Sequence, residues 1–164
     1  MDSKSILEKY IYDNDIEHIV SFINEKENRD EYLKWLIDYL QNTNNAELRN
    51  TLAIALADLK CEDAASVLAE LSVKYCQTNS YASLLYALSL LNCKDHILKV
   101  IFLIYQGNFE DRRNVFDILR NNIELLSNQE KEQISVNIHR YLEDCKDKMN
   151  LLTDALKLLN EPCD

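Results

Sequence analysis

Glycine and proline are almost missing: Gly107 and Pro162 stand alone in a chain of 164 residues. Tight turns and sheet bends lean on these two residue types, whereas helix interiors avoid them. Their scarcity predicts an all-α protein. A single glycine also excludes whole classes of chemistry. A dinucleotide-binding fingerprint, a phosphate-cradling glycine-rich loop and a strand-to-helix nucleophile elbow each need at least two. Long apolar runs are lacking as well. The longest, Leu52–Ala57 and Val100–Tyr105, fall far short of the roughly 18 residues of a membrane span. The stretch MDSKSILEKYIYDND mixes charges among its apolar residues and has no signal-peptide core. A cytoplasmic protein without membrane attachment is expected.

Paired cysteines and clustered histidines are absent too. Cys61, Cys76, Cys93, Cys145 and Cys163 are odd in number and form no C-x-x-C pair, which predicts reduced, partly buried thiols. His18, His96 and His139 lie far apart, with no H-E-x-x-H and no paired Cys/His ligands, so no metal site is expected. Cys93 and His96 are near each other, but Cys93 repeats Cys61, whose counterpart of His96 is Ala64. A turn-packing thiol is the expectation there. Adjacent acids such as Glu62–Asp63 and Glu110–Asp111 stand at helix starts, where the helix dipole favours them. No catalytic residue and no cofactor site emerges.

What the chain does have is acid and helical periodicity. Its 28 acidic and 18 basic side chains give a formal charge of −10. Residues 1–44 carry −5, residues 45–107 carry −1 and residues 108–164 carry −4. Such a surface repels phosphate backbones and anionic membranes, so no nucleic-acid partner is expected. It suits a basic protein partner. Apolar residues recur three and four apart, predicting helices at 3–12, 15–26, 29–41, 45–59, 63–76, 79–91, 94–106, 110–125, 128–143 and 147–160. Asp15, Asn28, Asn45, Asn79 or Ser80, and Ser127 with Glu130 supply start signals. Gly107 is placed for a left-handed helix end. Links of two to four residues predict antiparallel hairpins.

The chain also repeats itself. Ala55-Leu56-x-x-Leu59-x-Cys61-x-Asp63 returns as Ala87-Leu88-x-x-Leu91-x-Cys93-x-Asp95, an offset of 32 residues. Leu52 and Leu84, Leu68 and Val100, and Leu71 and Leu103 keep the same register, and Arg49-Asn50 returns at twice the offset as Arg113-Asn114. One hairpin cannot bury its apolar face alone, so such units stack.

The segments LRNTLAIALADLKCEDAASVLAELS and YASLLYALSLLNCKDHILKVIFLIYQGNFE resemble consecutive repeats of small bacterial HEAT-like proteins. The period is shorter than the roughly 40–47 residues of long HEAT repeats, and Lys60, Cys61, Asn92 and Cys93 stand where inter-helix turns often hold glycine or proline. The resemblance implies an all-α, right-handed α-solenoid of antiparallel helix pairs, HEAT-like or armadillo-like. It would be a single domain over residues 1–164, with capping helices at 1–44, repeats at 45–144, and a capping helix and tail at 145–164. Solenoids that hold DNA line a groove with cations, but here Lys74, Lys99, Lys131 and Arg140 are diluted by Glu70, Glu130, Glu132 and Glu143.

Likeness, size and acidity together imply a non-catalytic protein-binding module. The sharper expectation is an immunity protein that neutralises a cognate, basic, nuclease-like toxin domain. A general adaptor that assembles other proteins is the alternative, and an enzyme of unrecognised type a third. Of the nine tyrosines, Tyr75, Tyr81, Tyr86 and Tyr105 lie in the near-neutral centre, and about half of these four are expected in the core. The expected partner-binding residues are Glu62, Asp63, Glu70, Tyr81, Asp95, Glu110 and Asp111.

Overall fold

A computed structural model describes residues 3–78, 81–144 and 149–160. The expected cap at Asn79 or Ser80, the helix start at 147, and Cys145 and Cys163 lie outside the described residues. Among those described, the regular structure is entirely helical. The helices are α1 (Ser3–Tyr12), α2 (Ile16–Asn24), α3 (Arg29–Asn42), α4 (Ala46–Asp58), α5 (Ala65–Lys74), α6 (Ala82–Ser89), α7 (Ile97–Val100), α8 (Leu103–Gln106), α9 (Phe109–Asn122), α10 (Asn128–Asp144) and α11 (Met149–Asn160). Short 3₁₀ turns occupy Glu62–Ala64, Lys94–His96 and Ile123–Leu125. The first two stand 32 residues apart, as the sequence repeat does.

Local chemistry sets most boundaries. The Asp15 carboxylate accepts from the backbone of His18, and the Asn45 side chain from Glu47 and Leu48. The Ser127 hydroxyl accepts from the Glu130 backbone at 3.3 Å, and the Glu130 carboxylate accepts from the Ser127 backbone at 2.8 Å, completing a capping box. Asn28 starts α3 but donates to the Glu31 carboxylate at 2.8 Å instead of capping the backbone. The expected helix at 94–106 is broken into α7 and α8. Val100, Ile101, Leu103 and Ile104, which flank the break, are all buried. The backbone tightens there, with Ile104 donating to Ile101 and Tyr105 to Phe102.

Gly107 is not left-handed, as expected from sequence; its φ of −72° and ψ of 169° are extended. Among the described residues, the left-handed positions are Asn14 (φ 55°) and Lys60 (φ 52°). Each closes a helix by a paired hydrogen-bond pattern. Lys60 donates to Ala57 at 2.9 Å and Cys61 to Leu56 at 3.0 Å, while Asn14 donates to Ile11 at 3.2 Å and Asp15 to Tyr10 at 2.9 Å. Asn14 also donates to Glu47 at 2.7 Å and accepts from Thr51, tying the α1–α2 turn to α4. Lys60 has only the strain of its backbone. Lys60→Gly is therefore expected to stabilise the fold by about 0.5–1 kcal/mol, read as a rise of about 2 °C in thermal unfolding.

One core runs from Leu7 and Ile11 in α1 to Leu152, Ala155 and Leu159 in α11. The alanines of α4 explain its central place. Ala53, Ala55 and Ala57 are buried beside Leu48, Leu52 and Leu56, so α4 approaches α1, α2, α3 and α6 on several sides. In turn, α6 packs between α4 and α9 and also on α5, while α11 closes on α8, α9 and α10.

Candidate partner-binding surface

The turns that follow α2, α4, α6 and α9 are joined side by side. Arg29 donates to the carbonyl of Leu59 at 2.5 Å. The Asn92 backbone donates to the Glu62 carboxylate at 2.7 Å, and the Cys93 backbone to the Asn122 side chain at 3.2 Å. Asn121 reaches the Ser89 carbonyl at 3.0 Å. Residues 25–31, 58–64, 92–96 and 123–131 thus form one continuous edge, held by hydrogen bonds between residues 29 to 32 apart in sequence.

That edge carries ten carboxylates and five cations. Their exposure is unequal. Nine carboxylates are exposed, all but Glu130, whereas Lys60 is the one exposed cation of the five. Lys26 lies over the Phe22 ring at 4.0 Å, and Arg29 turns inward to Leu59. The cation–π contact of Lys26 and the carbonyl bond of Arg29 hold these two bases against the protein, while the shorter acids face water. The turn geometry presents a rigid acidic rim.

Of the expected contact residues, Glu62, Asp63 and Asp95 belong to this rim and are exposed. Glu62 has a structural duty as well, as the acceptor for Asn92. Glu70 lies on α5, exposed and paired with Lys99 at 3.2 Å. Glu110 is exposed at the start of α9, at the opposite end of the helices.

Tyr81 and Asp111 require a correction. They are 4% and 1% exposed, and the Tyr81 hydroxyl donates to Asp111 Oδ2 at 2.6 Å. Asp111 also accepts from the Asn108 backbone at 2.9 Å, in the capping box of α9. Neither side chain faces a partner. Burial, reinforced by the Asp111 bond, pushes the Tyr81 hydroxyl above the usual tyrosine range.

Of the four central tyrosines, Tyr81 alone is fully buried. Tyr75 is half-buried with the buried Arg49 guanidinium 3.8 Å above its ring, and Tyr105 stacks on Tyr141. Tyr86 is exposed. Asp58, Asp30 and Glu31 were not among the expected contact residues, although acids recurring at turns spaced by the repeat were a usable signal.

The buried thiols are inert by environment. Burial, with help from Glu62, pushes Cys93 up to about 12, and burial raises Cys61 as well. Among the described residues, no group of three or more His, Cys, Asp and Glu is arranged to hold a metal ion. No described helix is long and apolar enough to cross a membrane. No family model, curated protein or solved structure matches the chain.

Proposed function

We propose that the chain is a non-catalytic protein-binding module, an immunity protein that binds and neutralises a basic, nuclease-like bacterial toxin domain. The acidic rim carries this reading. Ten carboxylates against five cations, with nine of the acids and one of the cations fully exposed, form a field that attracts a cationic nucleic-acid-binding surface and repels nucleic acid itself. In this reading the pairs α2–α3, α4–α5, α6 with α7–α8, and α9–α10 are stacked units of a right-handed HEAT-like solenoid, with α1 and α11 as caps. The side-by-side packing of α4, α6 and α9 and the hydrogen bonds spaced 29 to 32 residues apart support it.

The test is capture of the toxin-like product encoded beside this chain, followed by association kinetics. A one-to-one, very tight complex is expected, with Asp63→Lys combined with Asp95→Lys slowing association about tenfold or more at low salt. The difference should vanish near roughly 0.5 M salt, where screening is short-ranged. Equal association rates for both proteins would remove the electrostatic reading. Several weak partners instead of one tight partner would favour the adaptor.

A further inference from the structure

Two leucines interrupt the acidic rim. Leu90 and Leu125 leave 47% and 46% of their surface in water. Leu90 follows the last residue of α6, and Leu125 ends the 3₁₀ turn after α9. Hydrogen bonds bring these two segments together. Asn114 donates to the Ala82 carbonyl at 3.2 Å and Asn121 to the Ser89 carbonyl at 3.0 Å, so one side of α9 runs along α6. Leu125 comes four residues after Asn121 and eleven after Asn114, close to that same side and one turn further on. Since α6 ends at Ser89, Leu125 overhangs its end on the side of Leu90. The Cys93 backbone, bonded to the Asn122 side chain at 3.2 Å, fixes the two turns against each other.

The repeat shows that position 90 needs no apolar side chain. Its counterpart 32 residues earlier is Asp58, exposed in the preceding turn. The packing is done by the neighbours Leu59, Leu91 and Leu126, all buried. Around the two leucines the exposed charge is mostly of one sign. Asp58, Glu62, Asp63, Asp95 and Glu124 are exposed in the three joined turns, against exposed Lys60 and half-buried Lys94. Glu62 is tied to the turn of Leu90 through the Asn92 backbone at 2.7 Å. Arg120, on the last part of α9, is already engaged by Asp117 at 2.8 Å. An apolar centre within a charged surround is the anatomy of a protein-binding site: the centre holds the complex and the surround directs it.

We propose that Leu90 and Leu125 are the apolar anchor point of the rim, and that its occupant is a large apolar side chain presented among lysines and arginines on a basic protein. The inference rests on the reading of the rim as the site of a basic partner, and it assigns two roles within that site. The carboxylates speed encounter, and the leucines slow departure. Other occupants fit less well. A second copy of this chain would set carboxylate against carboxylate, and nucleic acid would set phosphate against them. A small cation would engage the acids and leave both leucines in water.

Two synthetic peptide amides of equal charge, Lys-Lys-Phe-Lys-Lys and Lys-Lys-Ser-Lys-Lys, test this without the natural partner. Each is titrated into the full chain at low salt and followed by NMR chemical shifts. The phenylalanine peptide is expected to bind about fivefold more tightly. In Leu90→Gln combined with Leu125→Gln that preference should disappear. The serine peptide should bind the variant and the unaltered chain alike, which shows the acidic surround intact. Should the double variant fail to fold, the unaltered chain gives the answer: the methyl resonances of Leu90 and Leu125 shift more with the phenylalanine peptide than with the serine peptide. Equal affinity of the two peptides overturns the proposal, as does a preference that survives the variant, or methyl groups that respond alike to both. Failure of the immunity reading looks different. A chain that captures no toxin but prefers phenylalanine at these leucines keeps the anchor for another basic protein. One that captures the toxin without that preference keeps the immunity reading and loses the anchor.

Discussion

Asp111→Ala is expected to destabilise the protein by about 3 kcal/mol, lowering the midpoint of thermal unfolding by about 6–12 °C. Two losses combine. Asp111 is the acidic half of the capping box that starts α9, where its carboxylate accepts the Asn108 backbone at 2.9 Å; a lost cap costs about 1 kcal/mol. It is also the acceptor of the buried Tyr81 hydroxyl at 2.6 Å, and a hydroxyl orphaned out of water costs about 1–3 kcal/mol. Tyr81→Phe should cost less, about 1–2 kcal/mol, because the cap survives. The double variant should fall short of the sum by about 1–2 kcal/mol, and strictly additive effects would show that the pair is not coupled. The sign of the pH effect follows from the raised Tyr81 pKa. The folded protein holds this proton after the unfolded chain has lost it, so the contribution is complete below about pH 10 and disappears as pH rises further. Tyr81→Phe should flatten that alkaline decline in chemical denaturation.

The helices were legible because their causes are local. Caps at Asp15, Asn45 and Ser127 work through bonds two or three residues away, and the apolar spacing of each helix belongs to that helix alone. Features that depend on remote neighbours were not legible. The break between α7 and α8 falls inside the buried segment Val100–Ile104, whose apolar spacing reads as one continuous helix. Left-handed backbone at Asn14 and Lys60 arises from how two helices are closed; asparagine tolerates that conformation, whereas lysine gives no sign of it.

The same division governs the surface. Glu110 and Asp111 are neighbours in sequence and alike in chemistry, yet they sit about 100° apart around a helix. One faces water, while the other is buried against a tyrosine 30 residues earlier. Position 81 offered a partial clue. It is the repeat equivalent of Arg49, which is also buried at 2% exposure and lies over Tyr75. A polar side chain can be part of this core wherever an aromatic or a carboxylate from the next helix meets it. The acidic rim was half legible: Glu62, Asp63 and Asp95 stood out, but the inward turn of Lys26 and Arg29 that leaves the acids uncompensated depends on Phe22 and Leu59.

Gly107→Ala separates two explanations of the lone glycine by the sign of its effect. At φ −72° the backbone suits any residue. If conformation were the whole matter, alanine would stabilise by about 0.4–1 kcal/mol through the unfolded chain. Space argues otherwise. A Cβ at position 107 would lie 2.6 Å from Asp111 Cβ and 2.8 Å from the Leu103 carbonyl oxygen. The carbonyl belongs to α8, and Asp111 is held by both Tyr81 and the Asn108 backbone, so neither yields without breaking a bond. Overpacking of this kind costs about 1–3 kcal/mol, and the loosened capping box adds about 1 kcal/mol. A fall of about 5–10 °C in thermal unfolding is therefore expected. Combining Gly107→Ala with Asp111→Ala should cost less than the two changes separately: alanine keeps the Cβ at 2.6 Å, but without the carboxylate the bonds to Tyr81 and Asn108 that hold this Cβ in place are gone, and the capping box can be lost only once. A stabilised Gly107→Ala protein would show that the α8–α9 junction relaxes freely, and that glycine is dispensable even at the one place where this chain uses it.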